Sequence, residues 1–444
     1  MTEPSPRHPP SALEHLAARG VALPAPEQVF IGREVPLERI APGAVLHPFT
    51  RLTGAATRID AGAVIGAAGP ATLHDAWVGA GAVVGNLGPV TLRAVTAGPG
   101  TVLGCGVAEQ AVFLGKEVDD PAFTTGYGFR VRAGSLYEED ANSAQHTDTK
   151  MTLLFPWVTL GSNVNWCDVL VAGGTGPGLG EFTEVGSGVI HFNFTPRGDK
   201  ATASLLGDAC GGVFLRSPRL FVGGNASLIG PVQADYGAMA GAGGRLAGHL
   251  RPGLQPPAPA PAGGAAFHPE VYGAVDRVYR TQVAYIAELA ALDAWYGQVR
   301  ALVAAGAPSQ AELYARGRAV VAANLTERIA QLGAFAARME RSVALLERSA
   351  PGDPRIAQQR ALLEGWPAIE AHLRGYGAAQ DEPPRTLTVA VAEGAGRLGR
   401  VYTRVVQGLP AGAVEAGTAW LRGVAGRVAS AEVLTRVPPL GSVV

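Results

Sequence analysis

Between Val29 and Leu250 the apolar positions recur in steps of six. Val78, Val84 and Val90 are spaced this way, and Thr96 and Val102 continue the series. Val222, Leu228, Ala234, Ala240 and Leu246 repeat it without a slip, and Val164/Leu170 is one of the pairs between. An amphipathic helix returns its apolar face at three, four and seven residues, and a half-buried strand alternates every two. A six-residue step fits neither as a single element. It fits a short flat strand followed by a tight corner, repeated, with three sides closing a coil of about 18 residues. Glycine supplies corners with positive φ, and stacked coils bury a file of aliphatic side chains. The pattern predicts a parallel β-helix over 28–250.

The regularity breaks at about 107–155 and again at 210–221, which predicts two loop insertions on the binding face. Residues 1–27 read as a lead-in with a short helix over Ser11–Arg19. The run RPGLQPPAPAPAGG, 251–264, reads as a Pro/Ala/Gly linker. After it, 265–444 predicts an α-helical domain. One apolar stripe runs from Val271 to Val303 and a second from Leu313 to Leu346, with Ser309 as N-cap of the second. Helical signal resumes to Tyr376 and again, more weakly, from Leu387 to Val433. The aromatic members of these stripes are expected in a bundle core.

Charge changes the picture by exclusion. With 36 basic against 37 acidic residues there is no basic face for nucleic acid. Cys105, Cys167 and Cys210 have no metal or disulfide spacing, and no metal is predicted. No leader and no long apolar run is apparent, so a cytoplasmic protein without a membrane span is expected. Lysine is used three times, at Lys116, Lys150 and Lys200, against an abundance of arginine. Such sparing use suits places where a compact ammonium is needed, as at a phosphate.

The segment EVGSGVIHFNFTPRGDKATASLLGD, from Glu184, followed by FVGGNASLIGPV, from Phe221, carries a resemblance. Val185-Gly186, Asn193-Phe194, Lys200, Leu206-Gly207-Asp208, Val222-Gly223-Gly224 and Leu228-Ile229-Gly230-Pro231-Val232 fall on a known repeat pattern. It resembles the acetyltransferase half of the bifunctional N-acetylglucosamine-1-phosphate uridyltransferase/glucosamine-1-phosphate acetyltransferase. It is also similar to UDP-N-acetylglucosamine pyrophosphorylase-related proteins of bacteria. The resemblance implies an all-β left-handed parallel β-helix of the trimeric hexapeptide-repeat type, with sites between subunits. It also implies acetyl-CoA or another acyl-CoA as co-substrate, and a nucleotide sugar or sugar phosphate as ligand. Handedness comes from the resemblance alone, since parallel crossovers are otherwise right-handed. Gly224 and Ala240 are the implied cofactor-side positions, Asp168 stands where the family has its basic His, and Lys200 matches a phosphate-contacting Lys. No uridyltransferase loop opens the chain, so nucleotidyl transfer is not expected.

Attack of an amine or hydroxyl on a thioester needs a base within hydrogen-bond reach. His191 is the first candidate, two residues before Asn193 and so on the same face of a strand; an outward face would line a cleft between subunits. Asp168 is placed to orient it or to bind the amine. His146, with Asp148 and Lys150, is the alternative base and phosphate contact. Arg197 and Lys200 in TPRGDK present cations on a turn, and Asn163 and Asn165 suit a ladder at coil corners or a substrate contact at Asn165. GGTGPGLG, 173–180, lacks the Lys and helix of a phosphate loop and reads as a corner. Two functions remain open. One is acyl transfer to a nucleotide sugar or sugar phosphate. The other is non-catalytic sugar-nucleotide binding or scaffolding by a homotrimer, with the helical domain contacting a protein partner.

Overall fold

The computed structural model describes residues 6–117, 124–192, 202–255, 268–273, 275–376 and 382–440. The first half is a parallel β-solenoid of about 11 turns. Each turn has three short strands, and each strand pairs in parallel with its equivalents in the turns below and above. On the first sheet, Ile31, Leu52, Leu73 and Leu92 stack in register, and the file runs on through Ala108, Val131 and Thr149 to Trp166. On the second, Ile59, Val78, Ala97, Phe113, Tyr137, Leu154, Val171 and Leu206 align. On the third, Leu46, Ile65, Val84, Leu103, Thr125, Ser143, Leu160 and Val185 do so. The six-residue step is therefore the step from one side of the coil to the next.

Corners are fixed by backbone conformation. From the first sheet to the second, Gly54, Asp75, Ala94, Gln110, Gly134, Met151 and Asp168 stack with φ between 47° and 86°. Only two of these are glycines, so the stacked amides impose a left-handed residue even where a side chain makes it costly. Asn163 is such a residue at the third-to-first corner, and its N–H continues the corner by donating to Gln145 O at 2.9 Å. Asn165 instead lies on a first-sheet strand facing out.

Helix α1 (Pro10–Ala18) covers the first coil with Leu13 and Leu16. Helix α2 (Ala209–Gly212) sits in the excursion expected at 210–221. Then come α3 (Val275–Trp295), α4 (Ala301–Val303), α5 (Pro308–Ala337), α6 (Met339–Ser349), α7 (Arg355–Arg374), α8 (Arg385–Arg397), α9 (Tyr402–Gln407), α10 (Ala411–Val428) and α11 (Ala431–Leu434). The α3–α5 stretch lies against the second sheet: α5 packs on Val112–Phe113 and Leu136–Tyr137, and α3 on Ser204–Leu206 and Ser227–Ala234. Buried residues of both regions form one continuous apolar cluster. The helices are thus a second layer on the solenoid, and not a detached unit.

Three boundaries differ from expectation. The stretch 107–155 was expected to be an insertion, yet 124–155 continues the coils through Thr125–Val131, Leu136–Tyr137, Asn142–Ser143 and Asp148–Leu154. Its interior positions include Thr125, Ser143 and Thr149 beside Val131, Tyr137 and Leu154, so the aliphatic files are interrupted although the geometry is kept. The solenoid also extends past 250, because Gly253–Gln255 pairs with Ala238–Ala240. Ser309 is not an N-cap: α5 begins at Pro308, whose fixed φ suits a first helical position, and Ala307 precedes it without a side-chain cap.

Candidate functional site

The first-sheet register that pairs Asn165 with Ile190 puts His191 inside the coil, stacked under Leu228. It is 5% exposed, and its Nε2 lies 2.8 Å from Ser204 Oγ. Burial lowers its pKa to about 4; the positive charge of Arg328 adds to this, and the Cys167 backbone opposes it. The imidazole is a neutral core group, and it does not line an outward cleft. Asp168 is also buried, on a positive-φ corner, with Oδ1 3.1 Å from Arg328 Nη2 of α5. It anchors a helix to the solenoid. His146 is exposed at another corner, 5.9 Å from the Tyr127 ring. Lys150 pairs in register with Cys167, Gly224 is a corner, and Ala240 is buried in the third-sheet file. Asn193, Arg197 and Lys200 lie outside the described residues. Among the described residues of this set, His191 is buried inside the coil, whereas Asp168 is buried outside it, where α5 packs and supplies Arg328.

The strongest electrostatics lie at the solenoid–helix junction. Arg300, fully buried at the end of a π-helical turn, binds Glu139 through both terminal nitrogens at 2.6 and 2.9 Å, and Glu138 at 2.9 Å. Its Cζ lies 3.6 Å from the Tyr402 ring centroid, 4.6 Å from Tyr296 and 4.8 Å from Tyr314, a three-tyrosine cage. Tyr296 donates its hydroxyl to Glu138 at 2.6 Å. Burial raises Glu138 to about 7, with Arg300 opposing and Glu139 adding. Glu117 is also raised to about 7, by burial first and then by the charge of Glu139. It accepts from Tyr402 N at 2.5 Å, Thr403 N at 2.9 Å and Thr403 Oγ1 at 2.7 Å, and so caps α9 from the solenoid side.

Next to this cluster is a cleft of about 660 Å³, within the range of small-molecule sites. Its solenoid wall carries Arg58, Asp60, Trp77, Pro99, Leu114, Lys116 and Glu117. Its helical wall is the loop and first turn of α5, Ala307, Pro308, Ser309 and Gln310, with Leu313 and Tyr314. The walls are mainly apolar, and two cations, Arg58 and Lys116, stand among them beside three carboxyl groups, Asp60, Glu117 and Glu139. Asp60 accepts from Arg58 Nε at 2.7 Å and from Trp77 Nε1 at 2.8 Å, which fixes both side chains. The uncapped N-terminus of α5, a 30-residue helix, adds partial positive charge to the same wall.

Asp208, Cys210 and Glu288 present ligand atoms within 4.8 Å of one another. Glu288 already accepts from Ala209 N at 2.8 Å and Asp208 from Gly211 N at 2.6 Å. This cluster joins α3 to α2. Among the described residues no helix is long and apolar enough to cross a membrane.

Sequence reasoning noted Lys116 for its rarity but missed Arg58, Trp77, Glu117, Glu138, Glu139 and Arg300. A usable signal was the acidic run Glu138-Glu139-Asp140 at the start of the polar stretch that leads to Lys150. Comparison with protein-family models finds no match for this chain, and comparison with curated proteins finds none.

Proposed function

We propose that this chain binds a small anionic ligand of the sugar-phosphate or nucleotide-sugar class in the cleft between solenoid and helices, as a binding protein. The observation that carries the reading is the cleft itself, a mainly apolar cavity whose lining includes Lys116 and Arg58, the latter fixed by Asp60. Arginine and lysine are the side chains that hold phosphates, by fork and by point charge, and a helix N-terminus favours the same charge. The sugar part of the ligand comes from the sequence resemblance. Acyl transfer has less support, since His191, the first base expected for it, and Asp168, expected to orient it, are buried groups with partners of their own, and His146, the alternative base, is exposed and does not line the cleft. A left-handed coil sense and a homotrimer belong to the same proposal and rest on that resemblance.

Calorimetric titration of the full chain with UDP-N-acetylglucosamine, glucosamine-1-phosphate and acetyl-CoA tests it. Heat is expected from at least one sugar compound, and Lys116→Ala should weaken that binding by about tenfold, the scale of one charge-assisted contact. No heat from either sugar compound, or unchanged affinity in the variant, sinks the reading. Acetyl transfer to glucosamine-1-phosphate would restore the enzyme.

A further inference from the structure

A second cavity, a groove of about 500 Å³, lies on the other flank of α5, lined by Thr96, Gln110, Val112, Met151, Ala319 and Ala323 among others. Thr96 pairs in register with Trp77, so the groove and the cleft occupy adjacent coils. Between them is a seam of charges. Arg58 and Arg316 both face the Trp77 ring, with Cζ 4.5 and 5.0 Å from its centroid. Glu312 bridges them, one oxygen 3.0 Å from Arg58 Nη1 and the other 2.8 Å from Arg316 Nη2. Arg316 also donates to Thr96 Oγ1 at 3.2 Å.

We infer that cleft and groove are two halves of one site, which takes a ligand with two hydrogen-bonding ends joined by an anionic middle. This rests on the cleft binding reading above. The seam is where the middle would lie. Two guanidinium groups over one indole, bridged by Glu312, with Asp60 holding the far edge of Arg58, form a cradle for phosphate oxygens once Glu312 swings away. Glu312 fills that cradle in the present structure. Its side chain is 42% exposed and those of Arg58 and Arg316 are 29% and 35% exposed, so the bridge is a solvated one that a ligand can displace at little cost. Apolar walls with a few hydrogen-bonding groups, Thr96 and Gln110 on one side and Ser309 and Gln310 on the other, suit a base and a sugar. A nucleoside diphosphate sugar has this chemistry, whereas a sugar monophosphate fills one half only.

Ala319 and Ala323 are exposed on α5, so Ala319→Phe fills the groove without entering the core. Ala330→Phe, exposed on the same helix and lining neither cavity, is the control. In titrations of the full chain, the native protein should bind UDP-N-acetylglucosamine at least about tenfold more tightly than glucosamine-1-phosphate. Ala319→Phe should bring the two affinities together by weakening only the nucleotide sugar, and Ala330→Phe should change neither. Equal affinities in the native protein, or an unchanged ratio in Ala319→Phe, overturns the two-part site while the cleft stands. If the native protein binds neither compound, the cleft reading falls and this inference falls with it. Melting curves confirm that both variants are folded.

Discussion

The first coils of the solenoid and its middle coils solve the same packing problem with different chemistry. Through Leu103 the stacked files are aliphatic: Leu52, Leu73 and Leu92 on one sheet, Ile65 and Val84 on another, Val78 and Ala97 on the third. From Thr125 onward the files take in Ser143, Tyr137, Thr149, Trp166 and His191, and Ser204 stands beside them. Tyr137 and Thr149 share a hydroxyl contact at 3.3 Å, and Ser204 Oγ accepts from Val232 N at 2.9 Å while meeting His191. On the outside of these same coils, Glu138, Glu139 and Asp168 hold Arg300 and Arg328 of the helical layer. Beyond the backbone ladders common to all coils, the dry files are stabilised by transfer of apolar area. The wet coils depend on partners in exact positions, several of them on other elements.

The sharpest way to break that comparison is at Arg300. Arg300→Ala leaves two buried carboxylates without their counter-ion, and urea unfolding should show a loss of about 4 kcal/mol. A loss under about 1 kcal/mol would mean that water or proton uptake replaces the guanidinium with ease. In the dry region, Leu92→Ala should cost about 3 kcal/mol, with a cavity between Leu73 and Ala108. If the dry-coil loss exceeds the Arg300 loss, the helices matter less to the fold than their contacts suggest.

His191 sharpens the contrast through pH. Its folded pKa of about 4 lies below the ordinary 6.5, so between those values the unfolded chain binds more protons. Stability from this group is present above pH 6.5 and lost as pH falls toward 4, by up to about 3 kcal/mol. Glu117 and Glu138 act in the opposite sense: with folded values near 7, their contribution is present in acid and lost as pH rises through 7. Subtracting the pH profile of His191→Leu from that of the native protein isolates the histidine. A flat difference between pH 4 and 6.5 would show that the ring is solvated. The smallest effect is expected at the far end of the solenoid, where His249 Nε2 lies 2.7 Å from Asp235 Oδ1 in solvent. Asp235→Asn should shift stability by less than about 1 kcal/mol, and a larger change in the melting curve would mark that end as structured by charge.

The legible parts follow from these two regions. Val78, Val84 and Val90 announced the coil because each fills an interior slot on a different sheet. Thr125, Ser143 and Thr149 fill equivalent slots, but nothing in a threonine distinguishes an interior partner from a loop residue, so that stretch looked like an insertion. His191 was singled out as a reactive group because a histidine near an asparagine invites chemistry. Its direction depends on register, and a one-residue shift exchanges inside for outside. Of the charged residues of the cleft, Lys116 alone stood out in the sequence, as one of three lysines.

By itself the sequence determined the period and the division between coil and helix, because these depend on spacing, whereas corners such as Ala94 and Met151 are set by stacking on their neighbours. It did not determine that α5 lies along the second sheet, or that Glu117, Glu139 and Tyr314 meet around one cavity. Those contacts join solenoid residues to helical residues more than a hundred positions away, and they are selected by the shape and charge of two finished surfaces. Only the tertiary structure decided which polar residues are partners and which line the cleft.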